Sequence, residues 1–135
     1  MDARVPALPQ PFEAWFASRG WRPRAHQLAL VERAQEGLST LLIAPTGAGK
    51  TLAGFLPSLI ELAPVVAEGP GRPHKLHTLY VSPLKALTTD VARNLETPVR
   101  EMNLGVRVET RTGDTPSHKR TRQRAHPPDM LLTTP

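Results

Sequence analysis

The sequence predicts an α/β domain with a parallel sheet and flanking helices. Short apolar runs alternate with segments of helical period, in the order strand, helix, strand, helix, strand, helix, strand, after two leading helices. Prolines and glycines fall mainly between these segments and punctuate them. With 39% hydrophobic residues the chain can bury a core.

The first leading helix is PFEAWFASRG, where Phe12, Trp15 and Phe16 share a face and Gly20 supplies the stop. The second begins with Pro23 in its first turn and ends at Gly37, with Leu28, Val31 and Ala34 as its inner stripe. TLLIA, residues 40–44, reads as a fully apolar strand. Residues 51–66 return to helical period, and Pro57 should kink or unwind the first turns. EGPGRPHK, 68–75, reads as a surface loop, and LHTLYV, 76–81, as the second strand. The next helix places Leu84, Leu87, Val91 and Leu95 on one side and is interrupted at Pro98. GVRVETR, 105–111, is a third strand, TPSHKRTRQRAH a polar helix, and PDMLLTT a fourth strand. Ligands of such a sheet bind at the carboxyl ends of its strands.

Composition narrows the classes of function. The absence of cysteine excludes a disulfide framework and a thiolate metal site. Neither a signal peptide nor a membrane span is legible, so the expected compartment is the cytoplasm. A net charge of +5, carried by 13 arginines and 4 lysines, raises the odds of a polyanionic partner. The five histidines lack metal-ligand spacing.

APTGAGKT, residues 44–51, carries the strongest chemical signal. It fits the phosphate-binding loop pattern, with alanine in place of the usual leading glycine. Gly47 and Gly49 let the backbone curl, so that the N–H groups of Thr46, Gly47, Ala48 and Gly49 converge. Together with the positive end of the following helix they form a cradle for phosphate oxygens. Lys50 can reach the terminal phosphates, and Thr51 can ligate Mg²⁺. On this reading the site takes ATP and Mg²⁺, with Lys50 and Thr51 as catalytic residues and Thr51 as the metal ligand.

Four further segments resemble the first motor domain of a superfamily 2 helicase, a RecA-like P-loop NTPase domain. GWRPRAHQ, 20–27, is similar to that superfamily's adenine-reading element. The resemblance implies that Gln27 matches the adenine edge while Trp21 and Arg24 stack or make a planar contact. Taken alone, Trp21 also reads as core and Gln27 as a solvated helix residue. SPLKALTTD, 82–90, resembles motif Ia, which implies a sugar-phosphate contact from Pro83 and Lys85; an ordinary proline-capped helix start is the plain alternative.

RTGDT, 111–115, resembles motif Ib, and LLTTP, 131–135, resembles the next strand-contacting motif. The resemblance makes Thr112, Gly113, Thr133 and Thr134 phosphate partners and leaves Asp114 to orient its turn. Within the superfamily the stretches PFEAWFASRGWRPRAHQLAL, LIAPTGAGKTLAGFLPSLIEL, KLHTLYVSPLKAL, DVARNLETPVREM, ETRTGDTPSHKR and PPDMLLTTP are most similar to the large-helicase-related group and its bacterial DNA-ligase-associated DExH-box branch. That implies an ATP-dependent DNA helicase or translocase acting in DNA repair, with single-stranded or duplex DNA as partner and RNA not excluded. A DNA ligase and a repair nuclease are the implied protein partners.

The expected organisation is N-terminal helices with the adenine-reading element over 1–36 and a partial, incomplete ATP-binding domain over 37–135. The acidic DExH motif, whose acids hold Mg²⁺ and polarise water, does not occur in the sequence. The chain therefore reads as the amino-terminal part of a longer protein, able to bind ATP but poor at hydrolysing it. Two other functions fit the loop alone: a nucleotide- or DNA-binding module without turnover, and a small-molecule P-loop kinase. The run HKRTRQRAH, 118–126, is read as a solvated helix face, with a patch against a nucleic-acid backbone as the alternative.

Overall fold

The computed structural model describes residues 8–45, 49–69, 71–73 and 75–135. It contains α1 (Phe12–Ser18), α2 (Ala25–Gln35), α3 (Lys50–Val66), β1 (Thr78–Val81), α4 (Lys85–Glu101), β2 (Val108–Arg111), α5 (Ser117–Ala125) and β3 (Met130–Thr133). The chain divides into two compact units, residues 1–60 and 61–135.

In the first unit α1 buries Phe12, Trp15 and Phe16, the face its spacing predicts. Gly20 and Gly37 take φ of +68° and +73°, the left-handed conformation that lets the chain leave α1 and α2 at little cost. Along α2 the most buried positions are Gln27 and Val31, with Leu28 and Ala34 only partly covered. The buried polar Gln27 belongs to the site described below.

Residues 40–44 depart from expectation. They are in no strand, and Leu41 and Ile43 are 82% and 85% exposed. A strand exists only where a neighbour completes its hydrogen bonds, and no described residue pairs with this run. Its apolarity on both faces is that of a strand buried in a parallel sheet, which is why the sequence reads as one. The helix after the phosphate loop also differs, since α3 is helical throughout despite Pro57 and Pro64. Each proline forgoes one intrahelical bond without ending the helix.

The second unit is a three-stranded parallel sheet in the order β1-β3-β2. Thr78 lies opposite Met130 and Val108 opposite the same residue, which fixes the register of both edges on the central strand. Met130 and Leu132 are fully buried. α4 packs on β2 and β3 through Thr88, Val91, Leu95 and Pro98. That stripe is rotated from the predicted one: Leu84 and Leu87 are exposed, and the helix continues for a turn beyond Pro98. No helix among the described residues is long and apolar enough to cross a membrane.

The loop read as surface contributes to the interior. Arg72 reaches Asp129 with two hydrogen bonds of 2.7 and 2.8 Å, and the Arg107 N–H donates to the same carboxylate at 2.8 Å. Asp129 is 1% exposed. Burial opposes its ionisation, yet the Arg72 hydrogen bond, the Arg107 N–H and the two guanidinium charges together hold its pKa below the usual carboxylate range. Arg72 is raised in return, chiefly by its hydrogen bond to Asp129.

Candidate nucleotide and nucleic-acid sites

The nucleotide candidates lie in the first unit. Gln27 sits at the third position of α2, where its Oε1 accepts the Arg24 backbone N–H at 2.8 Å. This bond satisfies one of the amides left open where a helix begins. From the other end of the same side chain, Nε2 donates to the Gly49 carbonyl at 3.4 Å. One amide thus links the start of α2 to the residue just before α3. It keeps a second donor hydrogen and a second oxygen lone pair, the pair that an adenine edge requires.

Gly49 has two reasons to be glycine. Its φ is +75°, and a Cβ there would lie 2.8 Å from Gln27 Nε2. Gly49→Ala is expected to lose about 1–3 kcal/mol of local stability, read as faster amide exchange through the first turns of α2 and α3.

Trp21 stands edge-on to Trp15, with ring centres 5.6 Å apart, and the Arg19 guanidinium lies 5.1 Å from its ring centre. It is 49% exposed, so it is neither core nor free of packing. Trp21, Arg24, Gln27 and Gly49 line one cavity of about 420 Å³, together with Phe16, Gly20, Arg22 and Leu52. Lys50 and Thr51 follow as the first two residues of α3, both exposed. Thr46, Gly47 and Ala48 lie outside the described residues. The structure therefore brings together the three base-side candidates with Gly49 of the phosphate loop and puts the lysine and threonine at the adjoining helix start. Phe16, Arg22 and Leu52 were not found from the sequence, because nothing in their spacing marks them as cavity lining.

The nucleic-acid candidates lie in the second unit, at the carboxyl ends of its strands. Beyond β1, Ser82 N–H donates to the Thr133 carbonyl at 3.0 Å, and Ser82 Oγ accepts the Leu84 N–H at 3.3 Å. These bonds shape the turn through Pro83 that starts α4 with Lys85. Lys85 forms an ion pair with Asp114.

Beyond β2, the Thr112 N–H donates to Thr115 Oγ1 at 2.9 Å, and the Asp114 N–H to Thr112 Oγ1 at 3.3 Å. From α5, Arg120 Nη2 donates to the carbonyls of Thr112 and Gly113 at 2.9 and 3.1 Å. Beyond β3, Thr133 Oγ1 donates to the Arg111 carbonyl at 2.6 Å, which directs its one hydrogen into the sheet. Thr134 follows, partly exposed.

The strand order puts Thr133 and Thr134 between the turns holding Lys85 and Thr112. The basic run proves mixed. Arg120 braces the turn and Arg122 pairs with Glu109, while Lys119 and Arg124 are exposed. The bracing role of Arg120, read from the sequence only as part of the basic run, was not legible because its partners are backbone carbonyls, which leave no mark in a residue pattern. Among the described residues no group of His, Asp and Glu is arranged to hold a metal ion.

Residues 24–135 match the DEAD/DEAH box helicase family. The chain belongs to that family. It is 42% identical over 134 residues to the Lhr helicase/uracil glycosylase of Escherichia coli K12, covering 90% of this chain and 9% of that protein. The structure of Mycobacterium smegmatis helicase Lhr bound to ssDNA and AMP-PNP superposes with a TM-score of 0.81 at 39% identity, over 93% of this chain and 17% of that one. The DUF1998 helicase MrfA bound to DNA and AMPPNP gives 0.80 at 27% identity, over 99% and 17%. The chain thus spans less than a fifth of the length of each of these helicases. The α/β reading and the resemblance to Lhr-type superfamily 2 helicases both hold.

Proposed function

We propose that this chain carries the ATP- and DNA-binding part of an ATP-dependent DNA helicase or translocase. The observation that supports it most is the Gln27 amide, bonded at once to the Arg24 N–H and the Gly49 carbonyl. It joins the start of α2 to Gly49, and all three residues line one cavity. Trp21 and Arg24 flank the base, Gln27 reads its edge, and residues 46–51 hold the phosphates through backbone N–H groups and the Lys50 ammonium. Thr51 is the ligand proposed for Mg²⁺, which supplies charge neutralisation at the terminal phosphates.

At the other unit's strand ends, Pro83, Lys85, Thr112, Gly113, Thr133 and Thr134 contact the sugar-phosphate backbone and carry no base information. Thr133 is assigned its backbone groups, since its hydroxyl hydrogen is engaged with Arg111. We read residues 1–36 as the helices bearing the adenine-reading element and 37–135 as part of the ATP-binding domain. A bacterial cytoplasmic setting in DNA repair, with a DNA ligase and a repair nuclease as partners, follows from the branch resemblance and is checked by co-purification.

The test is ATP hydrolysis by the full-length protein with and without single-stranded DNA. Stimulation by DNA, lost with Gln27→Ala at low ATP and partly restored at high ATP, is the expected result. The reading fails if hydrolysis neither responds to DNA nor depends on Gln27. Binding without turnover is the alternative, and the same assay separates it.

A further inference from the structure

Lys85 and Asp114 come from the ends of two edge strands, β1 and β2, and their ion pair spans the carboxyl edge of the sheet. Their side chains are 55% and 71% exposed, so packing does not force them together. Asp114 nevertheless rides on a braced turn. Its own N–H is held by Thr112 Oγ1, the turn is closed by the Thr115 N–H on the Thr112 carbonyl at 3.1 Å, and Arg120 ties the Thr112 and Gly113 carbonyls to α5. The carboxylate is presented to the ammonium by a fixed scaffold. A carboxylate oxygen and a phosphate oxygen make the same charge-assisted hydrogen bond to a lysine.

We propose that Asp114 occupies, in the absence of nucleic acid, the place on Lys85 that a backbone phosphate takes when a strand binds. This rests on the assignment of Lys85 as a backbone contact. An incoming phosphate must displace the carboxylate and then lies beside it, so Asp114 weakens the grip of this strand end on any one phosphate. That favours a contact which forms and breaks readily, as stepping along a strand requires. It also lowers the salt dependence of binding, because the Lys85 site is close to neutral before the phosphate arrives.

Asp114→Asn removes the charge and leaves intact the backbone N–H that the turn uses. Fluorescence anisotropy with a labelled oligo-dT and the full-length protein, over roughly 50–200 mM salt, reads the effect. Asp114→Asn is expected to bind about two- to fivefold tighter and to steepen the slope of log affinity against log salt by about 0.7. Lys85→Ala is expected to weaken binding, and adding Asp114→Asn to Lys85→Ala should change nothing further.

Unchanged binding by Lys85→Ala overturns the backbone-contact assignment, and this proposal with it. If Lys85→Ala weakens binding while Asp114→Asn leaves affinity and slope unchanged or reduces them, the assignment survives and the proposal is overturned. Tightening by Asp114→Asn in the Lys85→Ala background overturns it as well, since the effect is then general repulsion.

Discussion

Lys50→Ala in the full-length protein is expected to lower DNA-stimulated ATP hydrolysis by at least about a hundredfold and to abolish unwinding. The reasoning is electrostatic. Charge builds on the terminal phosphoryl group as it transfers, and a fixed ammonium at that point stabilises it where water is excluded. Removing one such preorganised donor costs roughly 3–4 kcal/mol of barrier, which is a factor of about 10² to 10³ in rate. Lys50 suits the role because it is the first residue of α3, directly after the positive-φ Gly49. Its side chain is exposed and, among the described residues, makes no ion pair that the substitution would break. Protein folding should therefore be unaffected, as circular dichroism would record, and steady-state hydrolysis gives the answer. Retention of wild-type hydrolysis contradicts the assignment.

The second large effect concerns stability. Asp129→Asn is expected to destabilise the sheet by about 3 kcal/mol, because it leaves the largely covered Arg72 side chain without its counter-charge. The Arg72 side chain is only 12% exposed, so water cannot replace the carboxylate fully. Hydrogen exchange is the suitable measurement, since it reports the local opening of β3 within a longer protein. Protection of the Met130–Thr133 amides should fall by about a hundredfold.

The pH dependence has a definite sign. Asp129 is depressed in the fold, so its contribution is present above the unfolded carboxylate value near about 4 and is lost as pH falls through the lower folded value. Wild-type protection should therefore decline below about pH 4, while Asp129→Asn declines less over that range. A variant as protected as wild type at neutral pH would show that the pair contributes nothing.

Local pattern was legible in the sequence wherever the physics is local. The stops at Gly20 and Gly37, the helical periods of α1 and α4, and the alternation that requires a parallel sheet all follow from neighbouring residues. The phosphate-loop pattern is local as well, because backbone curl and phosphate chemistry demand glycine, lysine and threonine at fixed spacing, but residues 46–48 lie outside the described residues.

Long-range pairing was not legible. Residues 40–44 carry the apolarity of a strand, yet a strand is defined by its neighbour, and the sequence alone does not say which one arrives. Asp129 is held by a residue 57 positions away, and Lys85 by one across the sheet. The inner face of α4 rotated away from Leu84 and Leu87 because its contacts with β2 and β3 select the stripe through Thr88 and Val91.

The base-side site follows the same division. Trp21, Arg24 and Gln27 were marked by the resemblance of their segment, whereas the two hydrogen bonds that orient Gln27 required coordinates. Those bonds fix which end of the amide donates and which accepts, and leave one donor hydrogen and one oxygen lone pair over. They also predict selectivity for adenine, since a guanine edge reverses the donor and acceptor order.

Isothermal titration of non-hydrolysable ATP and GTP analogues, with magnesium, into the folded full-length protein tests this most directly. Saturable heat with the adenine analogue, at least tenfold weaker binding of the guanine analogue, and loss of that preference in Gln27→Ala are the expected results. No heat with the adenine analogue, or equal affinity for both nucleotides in the wild type, would contradict the account.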